Sequence, residues 1–326
     1  MKTGLSSASI SNRLSKIALG TVQFGQAYGI SNQKGQPGDQ EVRDILNLAT
    51  RHGIDLLDTA PAYGESEDVL GRVLEHTDNF KIVTKTLALR SLDLSDSTYS
   101  SILKTFEHSL KRMKVEHTYG LIVHLAEDIL GPSGDQVWKA LEHLKADGSV
   151  RRIGVSCYTT DELKTIMGRY PINLVQIPFN VFDQNLLRDG LIEDLMKSDI
   201  EVHSRSTFLQ GLALMDPDHL PDGFLRAEPA VRALHQLAKS GAVSPLELAL
   251  GFVNATNGID RMVIGVTTQE ELQEVIDGLS RSLPAELDTG SLAVDDEVII
   301  SPAMWPPDSQ ESWSFDFSTT SGSETK

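Results

Sequence analysis

Gly53-Ile54-Asp55-Leu56-Leu57-Asp58-Thr59-Ala60-Pro61-Ala62-Tyr63-Gly64 is the stretch on which the reading of this chain turns. Ile54 to Asp58 reads as a buried strand, and it closes on a carboxylate. A helical pattern precedes it: Val42, Ile45, Leu46 and Ala49, with Asp39 as the expected N-cap and Gly53 as the C-terminal stop. A second follows, through Val69, Leu70, Val73 and Leu74. The unit is strand, polar strand end, loop and helix.

Outward from there the unit recurs. Ile17-Ala18-Leu19-Gly20 is a first strand, Lys81 to Lys85 a third and Leu121 to Val123 a fourth. Arg152 to Ser156, Leu174 to Ile177, Ile200 to His203 and Met262 to Gly265 complete eight. Helical spacing separates them: Ile102, Phe106, Leu110 and Met113; then Trp138, Leu141 and Leu144, ending at Gly148; then Leu187, Leu191, Leu195 and Met196. An insertion rich in Asp and Pro comes before Val231, Leu234 and Leu237. Thr159 with Glu162, Ser244-Pro245 with Glu247, and Thr268 with Glu271 read as capping boxes, and the last of these helices runs to about Leu279. The pattern predicts an α/β protein, a single (β/α)8 TIM barrel. A doubly wound sheet would want Gly-x-Gly-x-x-Gly after the first strand, and Gly20-Thr21-Val22-Gln23-Phe24-Gly25 has the wrong spacing. It also lacks the Lys-Ser/Thr of a P-loop.

Composition agrees. The 326 residues suit one large barrel, which buries its core without staples. A net charge of −17 disfavours nucleic acid and anionic membrane as partners. No apolar run is long enough to span a bilayer, and the Ser-rich start lacks a signal-peptide core, so the cytoplasm is the expected compartment. The one cysteine, Cys157, excludes an internal disulfide and a thiolate zinc cage, and reads as a small buried hydrophobe. The nine histidines form no ligand motif, so no metal site is expected.

Barrel enzymes place their chemistry at the carboxyl ends of strands. Read in order, those ends carry Asp58, with Tyr63 five residues on, then Lys85, His124, Ser156 and Gln176. Asp58 and Lys85 can pair at the mouth, which tolerates burying both charges. The ammonium would favour phenolate and lower the Tyr63 pKa, making it a proton donor and acceptor near neutrality. His124 would orient a substrate oxygen. Alone, each has a structural reading as cap, ion-pair partner or packed aromatic; together they point to proton transfer.

The chain resembles the aldo-keto reductase superfamily. The residues that carry the resemblance are Leu19-Gly20-Thr21, Gly53 to Gly64, Glu67-Asp68-Val69-Leu70-Gly71, Thr84-Lys85, His124, Gly154-Val155-Ser156, Gln176 with Pro178-Phe179-Asn180, and Gln210-Gly211. They run in order from about Ile17 to Leu279. The resemblance implies an NAD(P)(H)-dependent carbonyl reductase with Tyr63 as general acid, Lys85 and Asp58 tuning it, and His124 orienting the carbonyl. It implies cofactor contacts from Gly20, Thr21 and Asp58, and from Ser156 and Gln176 to the carboxamide. Further cofactor contacts are expected at Arg205, Ser206, Phe208, Gln210, Gly265, Thr267 and Glu271.

Three positions depart from the pattern. Cys157 stands where many relatives have Asn. Arg205 stands where many have a Tyr that stacks on the nicotinamide; a guanidinium can also stack, or can hold a phosphate or a substrate carboxylate. In Gly265-Val266-Thr267-Thr268-Gln269-Glu270-Glu271 no cation awaits a 2′-phosphate, and Glu271 takes the place of an Arg. That leans to NAD(H), although Glu271 also suits a helix start.

The expected partner is a small-molecule carbonyl or alcohol substrate. Two rivals belong to other classes: an NAD(H)-sensing regulator acting through a protein partner, and a cofactor-free barrel hydrolase or lyase with Lys85 as a Schiff-base amine. The acidic end motivates the first, for beyond Arg281 nine acids face one lysine, nearly half the net charge. Residues 1–16 read as a lead-in, 17–281 as the barrel, 282–307 as an extension packed on it, and 308–326 as a disordered acidic tail with an interaction motif around Trp313, Phe315 and Phe317.

Overall fold

The computed structural model describes residues 7–74, 80–92 and 97–305. Eight parallel strands close into a barrel in chain order: β1 (Ile17–Gly20), β2 (Leu56–Asp58), β3 (Lys81–Lys85), β4 (Thr118–Val123), β5 (Val150–Ser156), β6 (Leu174–Pro178), β7 (Glu201–Arg205) and β8 (Arg261–Gly265), which pairs back onto β1. Helices alternate with the strands, as the pattern predicts. β2 is shorter than expected, β4, β5, β6 and β8 extend past the expected runs, and β7 is displaced towards Arg205, because the ladder continues where the apolar pattern stops. Arg205 is thereby a strand-end residue, in register with Pro178 of β6.

Alternation along the strands positions the site. Ala18, Leu56, Val83, Ile122 and Leu174 form a buried cluster inside the barrel, with Val263 against it. Leu19, Leu57, Ile82, Val123 and Val175 belong to the larger core shared with the helices. Since side chains alternate, the residue two beyond each inner one also points inward. That step reaches Gly20, Asp58, Lys85, His124, Gln176 and Gly265. A slip of one residue would turn several buried aliphatics outward at about 1.5–3 kcal/mol each, so the core fixes which side chains meet at the mouth.

The opposite end is closed by Glu201. It accepts hydrogen bonds from Tyr119 (2.5 Å) and His203 (2.8 Å) and pairs with Arg152 (2.8 Å). Burial raises its pKa, but the His203 and Tyr119 bonds and the Arg152 charge outweigh it and hold the carboxyl at about 2.

Local signals were read with mixed success. The boxes at Thr159/Glu162 and Ser244/Glu247 are complete. At Thr268 only half forms: its hydroxyl accepts the Glu271 N–H (3.2 Å), while the Glu271 carboxylate turns to Thr267. Asp39 is not an N-cap; Gly38 takes that position and Asp39, the first helical residue, pairs with Arg72 at 3.1 Å. The helix expected through Leu187 and Met196 breaks at Gly190, whose φ is +65°, and both side chains are exposed because neither short helix, Asn185–Arg188 nor Leu191–Lys197, needs them for its core face.

Beyond the last long helix the chain returns across the barrel. Asp296 pairs with Arg226 at 2.5 Å and Asp295 with Arg188. Trp305 is buried, edge-on to Phe224 at 4.9 Å, and donates its indole N–H to the Ile299 carbonyl at 3.3 Å. Trp313, Phe315 and Phe317 lie outside the described residues. Among those described, no helix is long and apolar enough to cross a membrane.

Candidate active site

Two glycines bring the loops after β1 and β2 into backbone contact. A Cβ on Gly25 would lie 1.8 Å from the Tyr63 carbonyl, and one on Gly64 (φ +54°) 2.4 Å from that of Gly25. The Glu65 N–H donates to the Gly25 carbonyl (3.2 Å). Ser66 donates to the Thr21 carbonyl (2.8 Å) and meets the hydroxyls of Thr21 (2.7 Å) and Thr59 (3.1 Å). This clamp sets the turn that carries Tyr63. Thr21 is fully buried in it, its hydroxyl donating to the Asp58 carbonyl at 3.0 Å, so its side chain does not face the cavity at the mouth.

Lys85 is the centre of the buried set. Its ammonium donates to both Asp58 oxygens (2.9 and 2.7 Å) and to the Thr59 carbonyl (3.0 Å). Gln176 Nε2 donates to Asp58 Oδ1 at 2.6 Å. The ammonium lies 4.9 Å from the Tyr63 ring centre, and the His124 ring stands edge-on to that ring at 5.8 Å. The four residues drawn from strand ends thus meet in space. Asp58, Tyr63 and His124 line the cavity, with Lys85 behind them.

One electrostatic expectation is overturned. The Tyr63 pKa is not lowered but raised well above its ordinary value, by burial and then by the Asp58 carboxylate, against the pull of Arg205. The Lys85 charge is already engaged by Asp58, so little is left to favour phenolate. Burial also draws Lys85 below its usual value, opposed by Asp58. His124 falls well below the usual imidazole range through burial, then the charges of Lys85, Arg205 and Arg90. Near neutral pH the site holds a protonated phenol beside a neutral imidazole. Burial pushes Cys157 up to about 12, consistent with an inert thiol.

The cavity has a volume of about 940 Å³, at the upper end for a ligand site. Gly20, Ser156 and Gln176 line it near the buried set. Arg205, Ser206, Phe208 and Gln210 form a wall from the β7 end, and Gly265, Thr267 and Glu271 lie at the β8 end. Several buried polar atoms in these walls have no partner among the described residues: Gln23 Oε1, Arg205 Nε, Thr207 Oγ1 and Gln210 Oε1. A cavity of this volume with unsatisfied donors and acceptors in its walls suits a large polar ligand such as a dinucleotide. Tyr28, Ser31, Lys34 and Tyr158 also line it and were not expected. They come from loops without periodicity, so no signal in the chain pointed to them.

Lys34 corrects a further expectation. The segment after β8 has no cation of its own, but the loop after β1 brings the Lys34 ammonium to 3.9 Å from Glu271 and 3.5 Å from Thr268 Oγ1. No group of three or more His, Cys, Asp or Glu among the described residues is placed to hold a metal.

The model of the aldo/keto reductase family matches residues 16–287. The chain belongs to that family. Its members are NAD(P)-dependent oxidoreductases acting between carbonyls and alcohols. An aldo-keto reductase of Bacillus subtilis (strain 168) is 24% identical over 286 residues, covering 79% of this chain and 83% of the relative. The NADH-specific methylglyoxal reductase of Escherichia coli (strain K12) is 23% identical, covering 83% and 91%. Among solved structures, an aldo/keto reductase of Klebsiella pneumoniae in complex with NADP and acetate superposes with a TM-score of 0.63 at 19% identity, covering 85% of this chain and 89% of that one. That likeness concerns the fold.

Proposed function

We propose that this aldo-keto reductase reduces an aldehyde, ketone or sugar-like carbonyl to an alcohol, with Tyr63 as the general acid. The observation that carries the reading is the Tyr63 phenol lining the cavity with the Lys85 ammonium 4.9 Å and the His124 ring 5.8 Å from its ring centre. A bound nicotinamide dinucleotide would supply the hydride. Tyr63 would give its proton to the oxygen that gains charge at the carbonyl. His124, kept neutral, can hydrogen-bond that oxygen and fix its direction. The Lys85–Asp58 pair keeps the ammonium fixed 4.9 Å from the ring centre, so the phenol is held in one place against a rigid buried pair. Gln176 and Ser156 would hold the carboxamide, and the wall from Ser206 to Gln210 the rest of the cofactor. Residues 17–281 would form the catalytic barrel and 282–307 its extension, with Pro302 and Ala303 reaching the cavity wall.

Of the two nicotinamide cofactors we favour NAD(H). Glu271 accepts from the Thr267 N–H (2.7 Å) and Glu41 from the Gln269 N–H (2.6 Å), so two backbone donors at that helix start already face carboxylates. A 2′-phosphate there would meet negative charge rather than free N–H groups. Lys34 is matched to Glu271 and offsets this only in part.

The test is Tyr63→Phe. Turnover of a broad aldehyde panel should fall by at least about 100-fold, with NADH binding, read by fluorescence, unchanged. Retained turnover would reject the acid role.

A further inference from the structure

We infer that Arg205 binds an anionic group on the substrate itself, so that the preferred carbonyl compounds carry a carboxylate or phosphate near the carbonyl. The inference rests on the proposed reduction and narrows its substrate class. Among the described residues, three cations line the cavity: Lys34, Arg90 and Arg205. Lys34 faces Glu271 at 3.9 Å and Arg90 faces Glu127 at 2.9 Å. Arg205 pairs with no carboxylate among the described residues. One of its terminal nitrogens donates to the Cys157 carbonyl (3.2 Å), its head group lies 4.2 Å from the Tyr158 ring centre, and its buried Nε has no partner among the described residues.

A guanidinium stacked on an aromatic face is held in one orientation, with its remaining donors available. The Arg205 charge reaches the buried Asp183 carboxylate, but that carboxylate accepts the Asn185 N–H (3.3 Å) and makes no direct ion pair with Arg205; a half-buried cation without a direct counter-ion is costly unless a ligand supplies one. Arg205 is also close enough to the reacting groups for its charge to act on Tyr63, His124 and Lys85. An anion that it holds therefore sits in the neighbourhood of the carbonyl. Asp58 cannot serve, because both of its oxygens are taken by Lys85 and one also by Gln176. Tyr158 stands 40% exposed at the mouth, so the pair forms a polar rim that an entering substrate meets.

The experiment compares succinic semialdehyde with butanal, and glucuronate with glucose, in the wild type, Arg205→Gln and Arg205→Lys. The wild type should favour each acid over its neutral partner in kcat/KM. Arg205→Gln should reduce that ratio roughly 10- to 100-fold, mostly through KM of the acid, the scale of a lost charge-assisted contact. Arg205→Lys should restore part of it. The ratio is taken within each variant, so general damage cancels. Calorimetry with 4-hydroxybutyrate gives a second readout: binding that depends on Arg205 supports the site even if no carbonyl is turned over, which would instead defeat the proposed reduction. An unchanged acid-to-neutral ratio overturns the inference. If NADH affinity falls in Arg205→Gln while the ratio holds, the charge serves the cofactor's phosphates; if neither moves, Arg205 only walls the cavity.

Discussion

Lys85→Met should cost about 4 kcal/mol of folding stability at neutral pH. The side chains of Lys85 and Asp58 are 1% and 3% exposed, so water does not compensate for a lost partner. Lys85 makes three charged hydrogen bonds, two to Asp58 and one to the Thr59 carbonyl. At about 1.5–3 kcal/mol each they set a ceiling near 5–9 kcal/mol. Removing one member of a buried pair is typically worth about 3–5 kcal/mol, since the other charge stays behind. Asp58 would keep only the Gln176 amide, which argues for the middle of that range. The assay is urea unfolding of the wild type, Lys85→Met, Asp58→Asn and the double variant. With both charges gone, the double variant should recover at least about 2 kcal/mol relative to the sum of the singles. A Lys85→Met cost under about 1 kcal/mol, or strict additivity, would refute the claim that the two charges are a coupled buried pair.

Two further outcomes follow from the site. Because the His124 pKa is depressed, its imidazole stays neutral above that lowered value; because the Tyr63 pKa is raised, its phenol stays protonated below that raised value. The kcat/KM for carbonyl reduction should therefore be flat from about pH 6.5 to 9, and a titration limb inside that window would contradict both assignments. Glu271→Gln should shift relative affinity towards NADPH by roughly tenfold, the scale of one like-charge contact at a half-exposed site; equal or opposite movement of the two dissociation constants would reject the NAD(H) preference.

Much of the fold, and the convergence of the candidate catalytic residues, was legible in the chain. Strand alternation, helix spacing and glycine stops are local signals, and a (β/α)8 barrel converts them directly into architecture. Asp58, Lys85, His124 and Gln176 sit two residues beyond inward-facing aliphatics, so their convergence follows once the barrel closes. Tyr63 needed more, because its place depends on Gly25 and Gly64 letting two loops touch.

What only the tertiary structure decided is how charges are shared between segments distant in sequence. The chain suggested that Lys85 would lower the Tyr63 pKa; packing gives Lys85 to Asp58 and buries the phenol, so the shift has the opposite sign. The segment after β8 lacked a cation; the fold brings Lys34 to it from the loop after β1. Arg205 was visible as a departure from its relatives, yet that it makes no direct ion pair among the described residues emerged only from the fold. Sequence pattern reports burial and spacing along one strand or helix. Electrostatics at the mouth depends on desolvation and on which partners the loops bring near, and neither is a local property of the chain.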